Sequence, residues 1–110
     1  MKLINCTPHP VVLQPAEGWS ITLEPSGIVA RAATARVADQ VIMVEDMPIT
    51  IYRVEFGEVQ GLPEPQEDTL YIVSSIVARA CPDRRDLVVP DDTIRDAEGR
   101  IVAARALARV

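Results

Sequence analysis

β-branched residues dominate the apolar part of this sequence. Val occurs 14 times and Ile 10 times, against 7 Leu, and aromatic residues make up only 4% of the chain. Val and Ile side chains fit a pleated strand better than a helix. A chain of 110 residues is long enough to close one core and too short for two. We therefore predict a single mainly β (α+β) domain over residues 1–110.

The first third of the chain predicts three sequential antiparallel strands. Residues 11–13 are apolar, and residues 19–24 alternate strictly between apolar and polar, with a turn at 15–18. Pro25, Ser26 and Gly27 favour a second turn, which leads into a strand over residues 28–32. We expect these strands to form part of a small antiparallel sheet or a barrel-like domain.

The middle of the chain is less decisive. Val37, Val41 and Val44 have helical spacing, yet residues 41–44 form a short apolar run with high β propensity. We favour a strand for 34–47 over the helical alternative. Residues 49–56 alternate, which predicts a strand that begins after Pro48.

Residues 57–69 predict a long ordered loop. They include two Gly, two Pro and four acidic residues. Loops of this length in a compact domain are often functional. We expect this one to act as a lid or an intersubunit contact, through Glu58, Leu62 and Pro63.

The last third predicts one helix and a closing hairpin. Residues 70–73 form a buried strand, and Ser74 or Ser75 can cap a short helix at 76–81 that Pro82 ends. After an apolar run at 87–89, residues 93–95 and 100–102 flank a turn at 96–99. The Ala-rich end, 103–110, fits either an extended strand or a helical turn.

The charge balance excludes several classes of partner. The net charge is −5, so binding to DNA or RNA as polymers lacks an electrostatic basis. No apolar stretch is long enough for a membrane span, and the first residues do not form a signal sequence, so we expect a soluble cytoplasmic protein without membrane contact. Ten of the eleven basic residues are Arg, whose planar fork suits small anions, with a coding bias towards Arg and Ala as the alternative explanation.

Metal and redox chemistry have little basis in the sequence. The chain has one His and two Cys, and the Cys residues are far apart without a C-x-x-C pattern. We expect no cofactor and no metal. Cys6 and Cys81 are best interpreted as reduced, packed thiols, with a disulfide between the two halves of the chain as the alternative.

Polar residues near strand ends supply the candidate ligand site. Thr7 and His9 lie on a short loop stiffened by two prolines, and Ser74 and Ser75 lie at the predicted helix start, where backbone N–H groups favour anions. An ordinary turn and an ordinary N-cap are the alternatives. The full set of predicted ligand-binding residues is Asn5, Thr7, His9, Arg31, Ser74, Ser75, Arg79, Arg95 and Asp96. No residue is predicted to be catalytic.

Several segments resemble a family of small, mostly uncharacterised proteins of phages and prophages. They are N-C-T-P-H-P at residues 5–10, P-S-G at 25–27 with Ala30 and Arg31, the run 57–73 into Ser74, and residues 86–96 with G-R-I at 99–101. The resemblance covers nearly the whole chain except 34–46, and its G-x-x-x-G-L-P-x-P and Y-I-V-S segments are distinctive. It implies a small stand-alone protein and supplies no catalytic motif.

Three functions follow as hypotheses. Because small phage proteins often bind host molecules, the first is a non-enzymatic, homo-oligomeric protein that sequesters a small phosphate-bearing, nucleotide-like ligand, such as a host immune signal in an anti-defence role. The second is a structural or protein-interaction module that uses the 57–69 loop and a sheet edge. The third, an enzyme that hydrolyses nucleotide signals, is disfavoured by the scarcity of His and the absence of a metal motif.

Overall fold

The computed structural model describes all 110 residues, which form eight strands and one helix. Strands account for 58% of the chain and the helix for 5%, so the predicted mainly β class is confirmed. The elements are β1 (Lys2–Asn5), β2 (Val11–Ala16), β3 (Trp19–Leu23), β4 (Arg31–Val44), β5 (Met47–Gln60), β6 (Thr69–Ile72), α1 (Ser75–Ala80), β7 (Leu87–Arg95) and β8 (Ile101–Ala108).

Six strands form a curled half-barrel sheet in the order β1-β6-β7-β8-β2-β3. The sheet is mixed, because β1 with β6, β6 with β7, and β2 with β8 are parallel pairs. An antiparallel sheet was predicted, and the difference arises because strands that are distant in sequence become neighbours. The predicted hairpins β2–β3 and β7–β8 are both present, and residues 103–108 extend β8 as a strand.

The prediction of a third sequential antiparallel strand at 28–32 is wrong for residues 28–30, and Arg31 and Ala32 begin a longer strand that does not pair with β3. Residues 24–30 are irregular, and they cross to the far side of the sheet instead of pairing with β3. There Ser26 N donates a hydrogen bond to Asn5 O (3.0 Å), and Ala30 N donates one to Cys6 O (3.0 Å). The segment therefore covers the outer edge of β1, which would otherwise expose unpaired backbone groups.

The core lies between β6, α1 and the ends of β1 and β7. Tyr71, Ile72 and Val73 are fully buried, and Val77 of α1 packs against the same cluster. Cys6 is buried and Cys81 half-buried, and both are free thiols, as the first of the two alternatives predicted. Burial raises the pKa of the Cys6 thiol, which makes the reactive thiolate scarce.

Strands β4 and β5 form a separate two-stranded hairpin, which we call the arm (Arg31–Gln60). Each strand has 14 residues, and no residue of the arm is buried. The preference for a strand at 34–47 is confirmed for all but the turn at Glu45 and Asp46. The radius of gyration is 17.5 Å, compared with about 13 Å for a compact domain of this length.

The helix is short and begins at a cap. The Ser74 side chain accepts a hydrogen bond from Val77 N (3.3 Å), so of the two predicted caps Ser74 is the one used. The helix ends at Ala80, just before Pro82, close to the predicted bounds. At six residues it is the only helix, and none in the structure is long and apolar enough to cross a membrane.

Candidate functional site

Four of the predicted site residues line one open groove. Because β1 and β6 are parallel, the loops that follow them leave the sheet at the same edge, and this edge is where open parallel sheets commonly bind ligands. Thr7 and His9 come from the loop after β1, and Ser74 and Ser75 from the junction after β6. The groove has a volume of about 560 Å³, and its other lining residues are Pro8, Val11, Val73, Val89 and Pro90.

Asn5 lies beneath the groove and holds its first loop in place. Its side-chain amide donates to His9 O (2.8 Å) and to Leu23 O (2.9 Å), while its Oδ1 accepts from Thr7 N (3.0 Å) and Thr7 Oγ1 (2.7 Å). Asn5 is buried, and all its hydrogen-bonding groups are used inside the protein. It therefore supports the loop and leaves no group free for a ligand.

The polar groups that remain free at the groove are few. The hydroxyl of Thr7 bonds to Asn5 and to His9 O (3.0 Å), and that of Ser74 accepts the helix-capping bond. The exposed side chains of His9 and Ser75 make no hydrogen bond within the protein. These two side chains, together with the Ser74 hydroxyl as a donor, are the side-chain hydrogen-bonding groups that the groove presents to a ligand.

The arginines predicted for the site lie elsewhere. Arg79 is exposed in the last turn of α1 and is not among the groove residues. Arg95 Nη1 donates to Gly99 O (2.7 Å), and the carboxylate of Asp96 accepts from the backbone N of Glu98 (2.9 Å) and of Arg100 (3.0 Å). The backbone N–H of Arg100 is the main reason why the pKa of Asp96 lies below its usual value. Arg95 and Asp96 thus build the β7–β8 turn.

Arg31 and Glu58 lie at the base of the arm. They line a shallow depression together with Ala32, Ala33 and Gln60, apart from the groove. This depression pairs one cationic side chain with one acidic side chain, so it offers an anion no net positive charge.

The predicted lid or contact residues Leu62 and Pro63 face inward to a large extent. Leu62 packs against the core cluster, and Pro63 O accepts a hydrogen bond from Arg84 Nη2 (2.9 Å). Tyr71 Oη donates to Glu64 O (3.0 Å), which fixes the following residue as well. The loop is therefore attached at several points to the six-stranded sheet and α1, which together we call the body. It is shorter than the predicted 57–69, because residues 57–60 belong to β5 and Thr69 to β6, and its exposed residues are 61 and 64–68.

The chemistry of the groove is that of neutral hydrogen bonding over an apolar floor. No Arg or Lys lines it, and His9 is its only side chain that can carry a positive charge. No group of three His, Cys, Asp or Glu side chains in the structure could hold a metal ion. Such a groove suits a small polar ligand bound through hydrogen bonds and packing.

Sequence reasoning did not include the apolar half of the groove. Val73 and Val89 look like any buried strand residues, and Pro90 looks like the end of a strand, although β7 continues through it to Arg95. Only the parallel pairing of β6 with β7 brings them beside His9. The two prolines in T-P-H-P, Pro8 and Pro10, just before Val11, were the only local signal of a rigid wall here.

Comparisons of the chain with protein-family models, with curated proteins and with solved structures find no match.

Proposed function

We propose that the protein is a non-enzymatic binding protein whose groove takes a small polar ligand. The observation that supports this most strongly is the meeting of His9 and Ser75, from loops that are 66 residues apart in sequence, at the carboxyl ends of two parallel strands. Both side chains are exposed and unpaired, so a ligand can use them without breaking an internal bond. His9 lies on a loop that Asn5 holds in place by hydrogen bonds, so less entropy is lost when a ligand binds.

The ligand class that we propose is a phosphate-bearing, nucleotide-like molecule, sequestered in the cytoplasm of a phage-infected cell. The resemblance to small phage proteins supports the biological setting, and the volume of about 560 Å³ is within the range of small-molecule sites. Arg31, Arg79 and Arg95 lie away from the groove, so one protomer places no guanidinium there to bind the phosphate. Recognition within one copy would then depend on the sugar and base as well as on His9.

Thermal unfolding with a panel of nucleotides tests this function, including cyclic ADP-ribose and cyclic dinucleotides with inorganic phosphate as reference. A ligand at 100 times its Kd stabilises the folded state by about 2.7 kcal/mol, which raises Tm by several degrees for a domain of this size. His9→Ala and Ser75→Ala should each weaken binding about tenfold. Ser20→Ala, an exposed serine on β3, is the matched control and should bind normally.

Two outcomes would contradict the proposal. The first is the absence of a shift with every member of the panel, and the second is binding that both groove variants leave unchanged. Recovering the ligand after incubation separates sequestration from hydrolysis. An intact ligand depleted from free solution supports binding, whereas a cleaved ligand would instead show an enzyme.

A protein-interaction module is the second candidate, and one observation favours it. β3 is a sheet edge whose Trp19 and Ile21 are 68% and 51% exposed. An edge strand with large apolar side chains can accept an added strand from a partner. A stoichiometric partner that is lost on Trp19→Glu and retained on His9→Ala would favour this function over the ligand groove.

A further inference from the structure

The arm exposes more large apolar side chains than its contacts within one chain can bury. Nine of the seventeen exposed large hydrophobic residues of the protein belong to it: Val41, Met43, Val44, Met47, Ile49, Ile51, Tyr52, Val54 and Phe56. Only its base, at Ala32 and Val59, packs against the core cluster. The rest of the arm projects from a molecule that measures 56 × 38 × 20 Å.

Both faces of the arm are apolar. Directly paired residues of an antiparallel ladder share a face. One face therefore carries the pairs Ile42 with Ile49 and Val44 with Met47, followed by Ile51. The opposite face carries a second set of apolar side chains, formed by Val41, Met43, Tyr52, Val54 and Phe56.

Three charged side chains in the inner half of the arm pair with one another, and a fourth packs on an aromatic ring. The guanidinium of Arg36 lies 4.1 Å from the centre of the Tyr52 ring, and Arg53 pairs with Glu55 at 3.0 Å and with Asp39 at 3.8 Å. From residue 40 to residue 52, the only charges are Glu45 and Asp46 at the turn. The outer half therefore has no cations to attract nucleic acid.

An isolated two-stranded ribbon of this kind is at best marginally stable in water. Strands of 14 residues form a ribbon about 45 Å long and about 10 Å wide. Its two faces together offer about 900 Å², and a stable interface buries about 800 Å² on each partner. The two faces together are thus large enough for one stable interface per protomer, whereas either face alone offers about half of that area. Without such an interface only 13 of 110 residues are buried.

The arm's chemistry indicates what covers it. A lipid bilayer is unsuitable, because both edges of the ribbon carry unpaired backbone groups that hydrocarbon cannot satisfy. In the outer half of the arm both faces are apolar and carry no charge except at the turn, so they are complementary to themselves, since Ile, Val and Met pack well against one another. A hairpin that folds only when a partner covers it needs that partner to be present whenever the chain is synthesised. A second copy of the chain meets this condition.

We propose that the arm is the self-assembly element of this protein, and that both of its faces are covered by other copies of the same chain. The occupant is a copy of the chain itself and not a heterologous protein. This inference does not depend on the ligand groove, since no arm residue lines it. Either proposal can fail while the other holds.

Sedimentation velocity of the purified full-length chain, from about 1 to 100 µM, tests the assembly. One glutamate is placed on each face, as Ile49→Glu and Val54→Glu. Ile76→Glu on α1 is the matched control, because Ile76 is 45% exposed, close to the 44% of Ile49. We expect the wild-type chain and Ile76→Glu to sediment as the same multimer, and each arm variant to dissociate at least tenfold more readily.

Circular dichroism of the same samples separates dissociation from misfolding. All three sites are exposed within the protomer, so each variant should retain the body of the fold. A wild-type chain that is monomeric at 100 µM would overturn the proposal. So would an assembly that both arm variants leave intact, or one that Ile76→Glu disrupts as strongly as they do. If only one face responds, the claim that both faces are covered is wrong.

Discussion

The six-stranded body and the β4–β5 arm are built from similar residues, but these residues are buried in the body and exposed in the arm. In the body, Ile72 and Val73 follow Tyr71 along the chain, and all three are fully buried. In the arm, Ile49, Ile51 and Val54 occupy equally regular strand positions and are between 41% and 57% exposed. β propensity alone therefore does not determine whether a strand is buried. Burial depends on whether other elements reach both faces of the strand, and within one chain only the base of the arm, at Ala32 and Val59, packs against the core.

The sharpest way to test this comparison is to remove the same side chain from each region. Ile72→Ala should cost about 2–5 kcal/mol of unfolding free energy, because it leaves a cavity in a packed core. Ile51→Ala should cost less than about 1 kcal/mol at low protein concentration. Urea denaturation at about 1 µM measures both. Equal costs at that concentration would mean that the arm is as well packed within one chain as the body.

The second prediction concerns the junction between the two regions. Gly61 follows the arm, with φ +79°, and a Cβ added there would collide with the carbonyl oxygen of Val29 in the irregular segment leading into the arm. Gly61→Ala should cost about 3 kcal/mol, from the left-handed backbone and the displaced carbonyl together.

Gly18→Ala is the matched control for this junction. Gly18 has φ +80°, but a Cβ there meets only open space, so only the backbone cost of about 1–2 kcal/mol applies. Thermal unfolding of the two variants compares them. If Gly18→Ala were the more damaging change, the close approach at the base of the arm would not constrain the protein.

The third prediction, smaller than the effects expected for Ile72→Ala and Gly61→Ala, concerns an ion pair in the body. Arg84 Nε and Nη2 donate to the two carboxylate oxygens of Asp86, both at 2.8 Å, and both side chains are mostly buried. These hydrogen bonds are the main reason why the pKa of Asp86 is lowered. The stabilisation is therefore fully present above the unfolded-state pKa, near 3.9, and is lost as pH falls through the lower folded-state pKa.

Asp86→Asn should accordingly lose about 2 kcal/mol relative to wild type at pH 6.5, with the difference shrinking towards pH 2. Asp91→Asn, an exposed carboxylate without an ion pair, should match wild type at both pH values. Urea titrations at the two pH values measure this. A difference for Asp86→Asn that does not change with pH would argue against the ion pair as its cause.

Local features of the fold were predictable where the signal is short in range. The strand at 19–23, the cap at Ser74 and the turn at 96–99 depend on neighbours within a few residues, and each is present in the structure. The alternation at 19–23 did not predict burial, because Trp19 and Ile21 are both exposed. Pairings between distant strands leave no such local mark. The parallel neighbours β1, β6 and β7, and the crossing of 24–30 to the edge of β1, could not be read from patterns along the chain.

The candidate site divides in the same way. The two prolines predict that the Thr7–His9 loop is rigid, and Ser74 and Ser75 are close together because they are adjacent in the chain. That these two loops form one groove, and that Arg95 does not join them, depends on which strands lie side by side. Arg95 and Asp96 looked like site residues because charge at a turn has the same appearance whether it binds a ligand or closes a hairpin.

By itself, the sequence determined that this chain makes strands, because Val and Ile restrict the backbone and side-chain rotamers wherever they lie. It also determined the caps and turns, which depend on local hydrogen bonds. The tertiary structure alone decided which strands became a body and which an arm. Burial depends on long-range strand pairing, and the two 14-residue strands of the arm pair only with each other.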